Sequence, residues 1–424
     1  MKIRLSSELF PLYGIFGLMV FWDVIQLFLP YLQYILLIFL LWYSKKKESL
    51  YINKYFLFVM FVIFLHGICC VFFLEHKLGL LLTQLGAITL CFIAYSNIIK
   101  KYTIHQIFEV YWVSALFMCI FGVVSQILKI NIFRDPNIRM NSLSSEPASL
   151  CYFLSPIVFT IVFWYIIPGT RDDDVKFYSN KFGILILLLA YLWSFSSVGY
   201  FGLLVLILIA LCKRGGSLKQ IITFALCVIS FIGIYFAVPD IQKRVDDTIW
   251  ALAIEEDDDA ISMNLSTYTL YNNAHVTYEI VKNTNGLGIG LGAYQLWFDK
   301  YTLLVSDRAN RDYYYMNNQD ANSGFLRISS ELGIFGIVLF MLWIFYFNVK
   351  TLNKYSAYSC ALFVWFLMFL LRHGNYLNGG IVIFLCLYTK IYYESMKLKR
   401  DFSVPLKKHN KTVSLNNDEG MNKV

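Results

Sequence analysis

The side chains best suited to chemistry in this 424-residue chain fall in three short stretches. The first runs from Arg134 through Arg139 to Glu146, Pro147 and Ser149. Arginine offers a planar fork of N–H donors that grips phosphate or carboxylate oxygens in pairs and keeps its proton. Arg134 and Arg139 therefore read as anion contacts, and Glu146 as a general base or as the partner that orients Arg139. The same spacing also fits a plain charged loop in which Ser145 or Glu146 caps a helix opening at Pro147.

The second stretch, Asn283 to Tyr294, places glycines at 286, 288, 290 and 292. Glycines at this spacing let a backbone turn sharply or approach another surface closely. A dinucleotide fingerprint would need a strand before it and a helix after it within a βαβ unit, and no such pattern is present. A tight re-entrant turn packed on helix ends is the expectation. The third stretch runs from Asp320 to Gly336 and holds Asn322, Arg327 and Glu331. Arg327 and Glu331 are four residues apart, so they either neutralise each other on one helical face or leave Arg327 as a second anion contact. Arg372, followed by His373 at another helix end, is a further phosphate contact of the same type.

Metal chemistry has no support in this pattern. The six histidines show no ligand spacing, and the nine cysteines lie in apolar runs, where cysteine behaves as a small hydrophobe. The acidic runs Asp172–Asp174 and Glu255–Asp259 read as solvated stretches, the second lacking the nucleotide-sugar domain that a metal-binding DxD serves. No metal and no cofactor is expected.

The elements that must position these groups follow from composition. The chain is 58% hydrophobic and only 15% charged, with a mean hydropathy of +0.58. Its apolar runs are about 15–25 residues long, the length that crosses a bilayer. This excludes a disordered chain and an ordinary soluble domain, and predicts an all-α polytopic membrane protein of about twelve spans with one large extracytoplasmic loop. The net charge of +8 is mostly an orientation signal rather than a nucleic-acid footprint. With both termini cytoplasmic, about two-thirds of the basic residues fall inside, at Lys45–Lys47, Lys100–Lys101, Lys213–Arg214 and the tail. The expected organisation is a block of N-terminal membrane helices over 1–238, with a short outer loop at 129–146. An outer loop over 239–323, C-terminal membrane helices over 324–393 and a basic, disordered cytoplasmic tail over 394–424 follow. Mid-membrane charges are scarce, which weakens a proton-coupled transporter, and the polar residues gather at outer loops and helix tops.

At these three stretches the chain resembles the O-antigen polymerase and O-antigen ligase group of bacterial envelope enzymes. Arg139 with Ser145-Glu146-Pro147-x-Ser149 is similar to the R…EPs element of the polymerases. Asn285-Gly286-x-Gly288-x-Gly290 resembles the group's PlfGvGxG turn, and Asn322 to Gly333 its HNxxL…ExGxxG pattern. Two departures stand out: Asn322 occupies the place of the ligases' histidine, and Ser196-Ser197-Val198-Gly199 lacks the arginine of a serine-arginine element. The missing histidine favours polymerase over ligase. The arginine that the group often carries in the large loop ahead of the glycine turn has no clear counterpart, and Arg244 is the candidate for it.

The resemblance implies transfer of a growing glycan from undecaprenyl pyrophosphate onto a lipid-linked repeat unit, at the outer face of the bacterial inner membrane. Arg139 would hold the donor pyrophosphate, with Arg134 and Arg327 as supporting contacts and Glu146 as base. Arg308 and Arg311 would guide the lipid head groups. Partners implied are the lipid-linked oligosaccharide, membrane lipids, and a chain-length regulator and flippase of the same pathway, with no nucleic acid. A ligase, or a flippase for lipid-linked oligosaccharides, is the alternative.

Overall fold

The computed structural model describes residues 7–29, 31–45, 49–74, 76–130, 132, 139–172, 175, 179–214, 265–302, 315–377 and 380–415, with isolated positions between 225 and 246. Arg134, Arg244, Arg308 and Arg311 lie outside the described residues, as do most of the residues of the apolar stretch 220–238.

Among the described residues the secondary structure is helical. The helices are α1 (Phe10–Val20), α2 (Trp22–Phe28), α3 (Leu32–Lys45), α4 (Lys54–Phe73), α5 (Leu78–Ile99), α6 (Ile104–Ile127), α7 (Pro147–Ile166), α8 (Lys181–Trp193) and α9 (Ser197–Arg214). They are followed by α10 (Leu265–Asn283), α11 (Tyr294–Tyr301), α12 (Gly324–Tyr346), α13 (Ser356–Arg372) and α14 (Ile381–Leu415). Six of these, α4, α5, α6, α7, α9 and α12, are long and apolar enough to cross a membrane, or seven elements if the bent pair α1–α2 counts as one span. Among the described residues, fewer elements than the expected twelve meet this measure. Over residues 10–45, α1 and α2 meet at a 67° bend at Phe21, and the shorter apolar helix α3 follows separately. α8 has 13 residues, about 20 Å of helix against about 30 Å of hydrocarbon. The last helix continues through Leu415, beyond the point at which composition predicts loss of order.

α7 is the centre of the bundle, packed against α13 and α9. Its sequence is apolar on all sides, which suits a helix surrounded by others. Pro156 inside it has no N–H to give to the Tyr152 carbonyl one turn earlier. That acceptor is satisfied from outside: Trp365 of α13 donates its indole Nε1–H to Tyr152 O at 2.9 Å, and the Tyr152 hydroxyl donates to Met368 O at 2.7 Å. The proline thus becomes an anchor between the two most deeply buried helices.

Charged ends separate along the bundle axis. Lys213 donates to Val349 O at 2.8 Å and Arg214 to Ile166 O at 2.9 Å, at the C-terminal end of α7 where carbonyls attract cations. Lys100 and Lys101, just past α5, sit at that same end, and Arg139, Arg327 and Arg372 at the other.

Candidate functional site

The glycine stretch folds as the sequence predicts, into a tight turn, but it docks on a broken helix. Gly286, Gly288, Gly290 and Gly292 all have φ between 78° and 93°, a region that L side chains avoid. The turn lies across α12 at Gly333, whose φ of 72° and ψ of −175° interrupt the helix. Interrupted helices leave backbone groups without intrahelical partners, and here the turn supplies them. Ile289 N donates to Ser330 O at 2.9 Å, Gly290 N to Glu331 O at 2.8 Å, and Ile334 N to Gly286 O at 2.9 Å. From the other side, α4 and the segment after it hold the turn. His66 Nε2 donates to Leu287 O and His76 Nε2 to Leu291 O, each at 3.0 Å. Burial holds the His76 imidazole below its ordinary pKa, with its Leu291 bond and the Glu331 charge opposing that shift and His66 adding to it. Neither histidine carries a sequence signal for this role.

The first half of α12, ahead of the break, carries Arg327 and Glu331. Their side chains form an ion pair at 3.2 Å, with Glu331 fully buried and Arg327 only 5% exposed. Arg327 Nη1 also donates to Gly374 O at 3.0 Å, and its guanidinium lies 4.3 Å from the centre of the Tyr376 ring. Burial, and next the Glu331 carboxylate, push the Tyr376 phenol well above its ordinary value. Of the two sequence readings of Arg327, mutual neutralisation is therefore the geometry observed. Tyr376, which packs on the Arg327 guanidinium, is a residue that the sequence did not single out.

Asn322 adopts a left-handed φ of 55°, which asparagine tolerates better than most residues, and its N–H donates to Asp320 Oδ1 at 3.1 Å. The next residue, Ser323, caps α12 by accepting from Leu326 N and donates to Leu370 O at 2.6 Å. The turn at 320–323 is thereby fastened to the end of α13.

Arg139 and Glu146 stand at the start of α7. Arg139 Nε donates to Ser194 O at 3.4 Å, and Met140 N to Trp193 O at 3.2 Å, which ties the loop to the end of α8. Asp23, in the first turn of α2, accepts from both Ser145 N at 2.7 Å and Ser145 Oγ at 2.9 Å. Pro147 occupies the first turn as expected, and Glu146 is the N-cap residue by backbone geometry. Its carboxylate makes no cap bond and is exposed.

Arg372 reaches the same end of the bundle and donates through Nη2 to Ser266 O at 2.8 Å and to Ser266 Oγ. Beside it, the His373 ring lies 4.9 Å from the Tyr152 ring of α7. Cys151, the preceding α7 residue, packs under Gly199 next to the loop that holds Arg139. Arg139 and Arg372 thus stand at the same end of the bundle as the start of α7, where the positive end of the helix dipole lies. The structure brings Arg139, Glu146, Asn322, Arg327 and Arg372 to one end of the fold. Among the described residues, no cluster of histidine, cysteine or carboxylate side chains could hold a metal ion.

Residues 182–341, from α8 through most of α12, match the family model described as O-antigen ligase. No curated protein matches the chain.

Proposed function

We propose that the chain polymerises undecaprenyl-pyrophosphate-linked oligosaccharide repeat units at the outer face of the inner membrane, a reading supported by the match of residues 182–341 to the O-antigen ligase family model and by the resemblance of its three polar stretches to that group. The bond between the donor sugar's anomeric carbon and the pyrophosphate breaks, and the bonding electrons leave with the lipid pyrophosphate. The acceptor hydroxyl oxygen of an incoming repeat joins that carbon, and its proton passes to Glu146. Negative charge develops on the leaving group, so cations must stand where it forms.

The observation that carries this reading is the gathering of Arg139, Arg372 and the exposed carboxylate of Glu146, the N-cap residue of α7, at one end of the bundle. Arg139 holds the donor pyrophosphate and Arg372 assists from the α13 side. Arg134 is a supporting contact, Arg308 and Arg311 guide the lipid head groups, and Arg244 stands as the loop arginine. Arg327, bonded inside the fold, acts by holding the Gly374–Tyr376 segment, and Asn322 by shaping the turn ahead of α12. Both termini face the cytoplasm, and the pathway's flippase and chain-length regulator are partners.

The ligase reading shares the donor chemistry, but the ligases' histidine is absent at Asn322. The glycan phenotype of a strain lacking the protein tests the proposal. Single lipid-linked repeats on the outer face support a polymerase. Full-length polymer retained on its carrier would make the protein a ligase, and repeats trapped on the cytoplasmic side would make it a flippase.

A further inference from the structure

At the end of the bundle opposite Arg139 lies a cavity of about 850 Å³. Lys45, from the end of α3, and Asn97, Lys100 and Lys101, from the end of α5, line it together with Leu50 and Ile52. The wall is fastened in place. Fully buried Asn97 accepts from Tyr51 N at 2.8 Å and donates to Tyr51 O at 2.7 Å, which pins the segment before α4 against α5. Lys100 Nζ is held 4.0 Å from the centre of the Tyr51 ring, and Lys101 Nζ donates to Ser44 O across the two helix ends. Three ammonium groups from two helices therefore share one cavity, and Glu8 lines an adjoining cavity of about 400 Å³ together with Lys101.

Positive-inside topology alone accounts for lysines at a helix end, but not for a pinned cavity that combines them with apolar walls. Leu50 is 46% and Ile52 47% exposed. Trp42, Tyr43 and Tyr55 stand exposed around the same end, the usual position of aromatic side chains at a membrane–water boundary. A free oxyanion would use the lysines and leave the apolar wall unused; a phosphate carried by an amphiphile uses both. We infer that this cavity binds the phosphate head group of an anionic phospholipid. The phosphate oxygens sit among Lys45, Lys100 and Lys101, and the acyl chains run along the exposed faces of α3 and α4. The 22 residues of α5 separate it from the arginine end by about 33 Å, so binding here is separable from glycan transfer.

The test is thermal unfolding of the purified full-length protein in detergent, titrated with phosphatidylglycerol, phosphatidylcholine or inorganic phosphate. Phosphatidylglycerol raises the melting temperature of the wild type, and the other two do not. The variant K45Q/K100Q, which leaves the Lys101–Ser44 bond intact, requires on the order of tenfold more phosphatidylglycerol for the same shift, whereas K45R/K100R behaves as wild type. If the double variant fails to fold, K100Q alone, at an exposed side chain, carries the test with a shift of about fivefold. Equal stabilisation by phosphatidylcholine, or unchanged phosphatidylglycerol response in the glutamine variants, overturns the site. Equal stabilisation by inorganic phosphate overturns its assignment to a lipid.

Discussion

Gly288 and Gly333 meet backbone to backbone, one from the turn after α10 and one from the break in α12. A Cβ on Gly288 would stand 2.5 Å from Gly333 N, and one on Gly333 would stand 2.3 Å from Gly286 O. Both residues have positive φ, 82° and 72°, so a side chain at either meets a conformational penalty as well as a clash with backbone that cannot rotate away. Gly288→Ala and Gly333→Ala should each destabilise the protein by at least about 2 kcal/mol. Gly79→Ala, at a site where nothing lies within 4 Å, serves as a neutral control. Thermal unfolding in detergent reads the difference, and a Gly288→Ala protein as stable as the control would remove the docked turn from the account.

The ion pair of Arg327 and Glu331 separates two roles for the same arginine. Removing one member leaves a buried charge without its partner, a loss of about 3–5 kcal/mol, whereas replacing both with apolar groups of similar size is often close to neutral. Arg327→Met is therefore expected to destabilise strongly, and R327M/E331L to recover most of the stability. If Arg327 acts by holding Gly374 and Tyr376, glycan transfer recovers partly along with the fold. Persistent loss of activity in a fully stable double variant would instead make the guanidinium a substrate contact.

Arg139 is the residue on which the donor chemistry rests. Arg139→Ala should reduce long-chain polymer by two orders of magnitude or more while single-repeat product persists. Arg139→Lys should fail as well, because an ammonium keeps the charge and loses the paired N–H geometry. Chain-length ladders resolved by gel from strains expressing equal amounts of each variant check this, and a normal ladder from either one ends the assignment.

What the sequence makes legible is what short windows of chain control. Pro147 at the start of α7 and the glycine turn at 286–292 follow from neighbours a few residues away, and both stand as expected. The contacts that assemble the site run across far longer separations: 122 residues from Asp23 to Ser145, 215 from His76 to Leu291 and 47 from Arg327 to Gly374. No periodicity encodes such partners. Asp23 is a single acidic residue inside an apolar stretch of the sequence, and Tyr376 one aromatic among thirty tyrosines. Arg372 could be found because a basic residue ended an apolar helix, although its bonds to Ser266 could not.

His76 gives the glycine turn a dependence on pH. Its folded-state pKa lies below the ordinary 6.5, because burial outweighs its bond to Leu291 O and the Glu331 charge. The unfolded chain then binds a proton that the folded chain refuses, so this contribution to stability is present above pH 6.5 and is lost as pH falls below it. Backbone amides of residues 286–292 should exchange with deuterium faster at pH 5.5 than at pH 7.5, after correction for intrinsic rates. His76→Gln, which offers a donor without titrating, should flatten that dependence; an unchanged profile in the variant would exclude His76 as its source.

Asp23 fixes the loop that carries Arg139 and Glu146, and it does so through two different donors on one residue. Its Oδ2 accepts from the Ser145 amide and from the Ser145 hydroxyl. Ser145→Ala removes only the hydroxyl bond, and the amide, which every residue but proline possesses, still reaches the carboxylate. Asp23→Ala removes both acceptor contacts and leaves the amide, in the half-buried loop, without its charged partner. Polymer yield at matched protein level should therefore fall by about tenfold or more in Asp23→Ala and by only a few-fold in Ser145→Ala. Asp23→Asn, which keeps one carbonyl acceptor, should lie between them. Because Asp23 sits on α2 rather than among the arginines, its loss should displace the loop without altering the charge it presents. Raising the supply of lipid-linked repeat should then restore part of the yield in Asp23→Ala and none of it in Arg139→Ala. The opposite order, with Ser145→Ala as damaging as Asp23→Ala, would shift the role from the carboxylate to the serine hydroxyl.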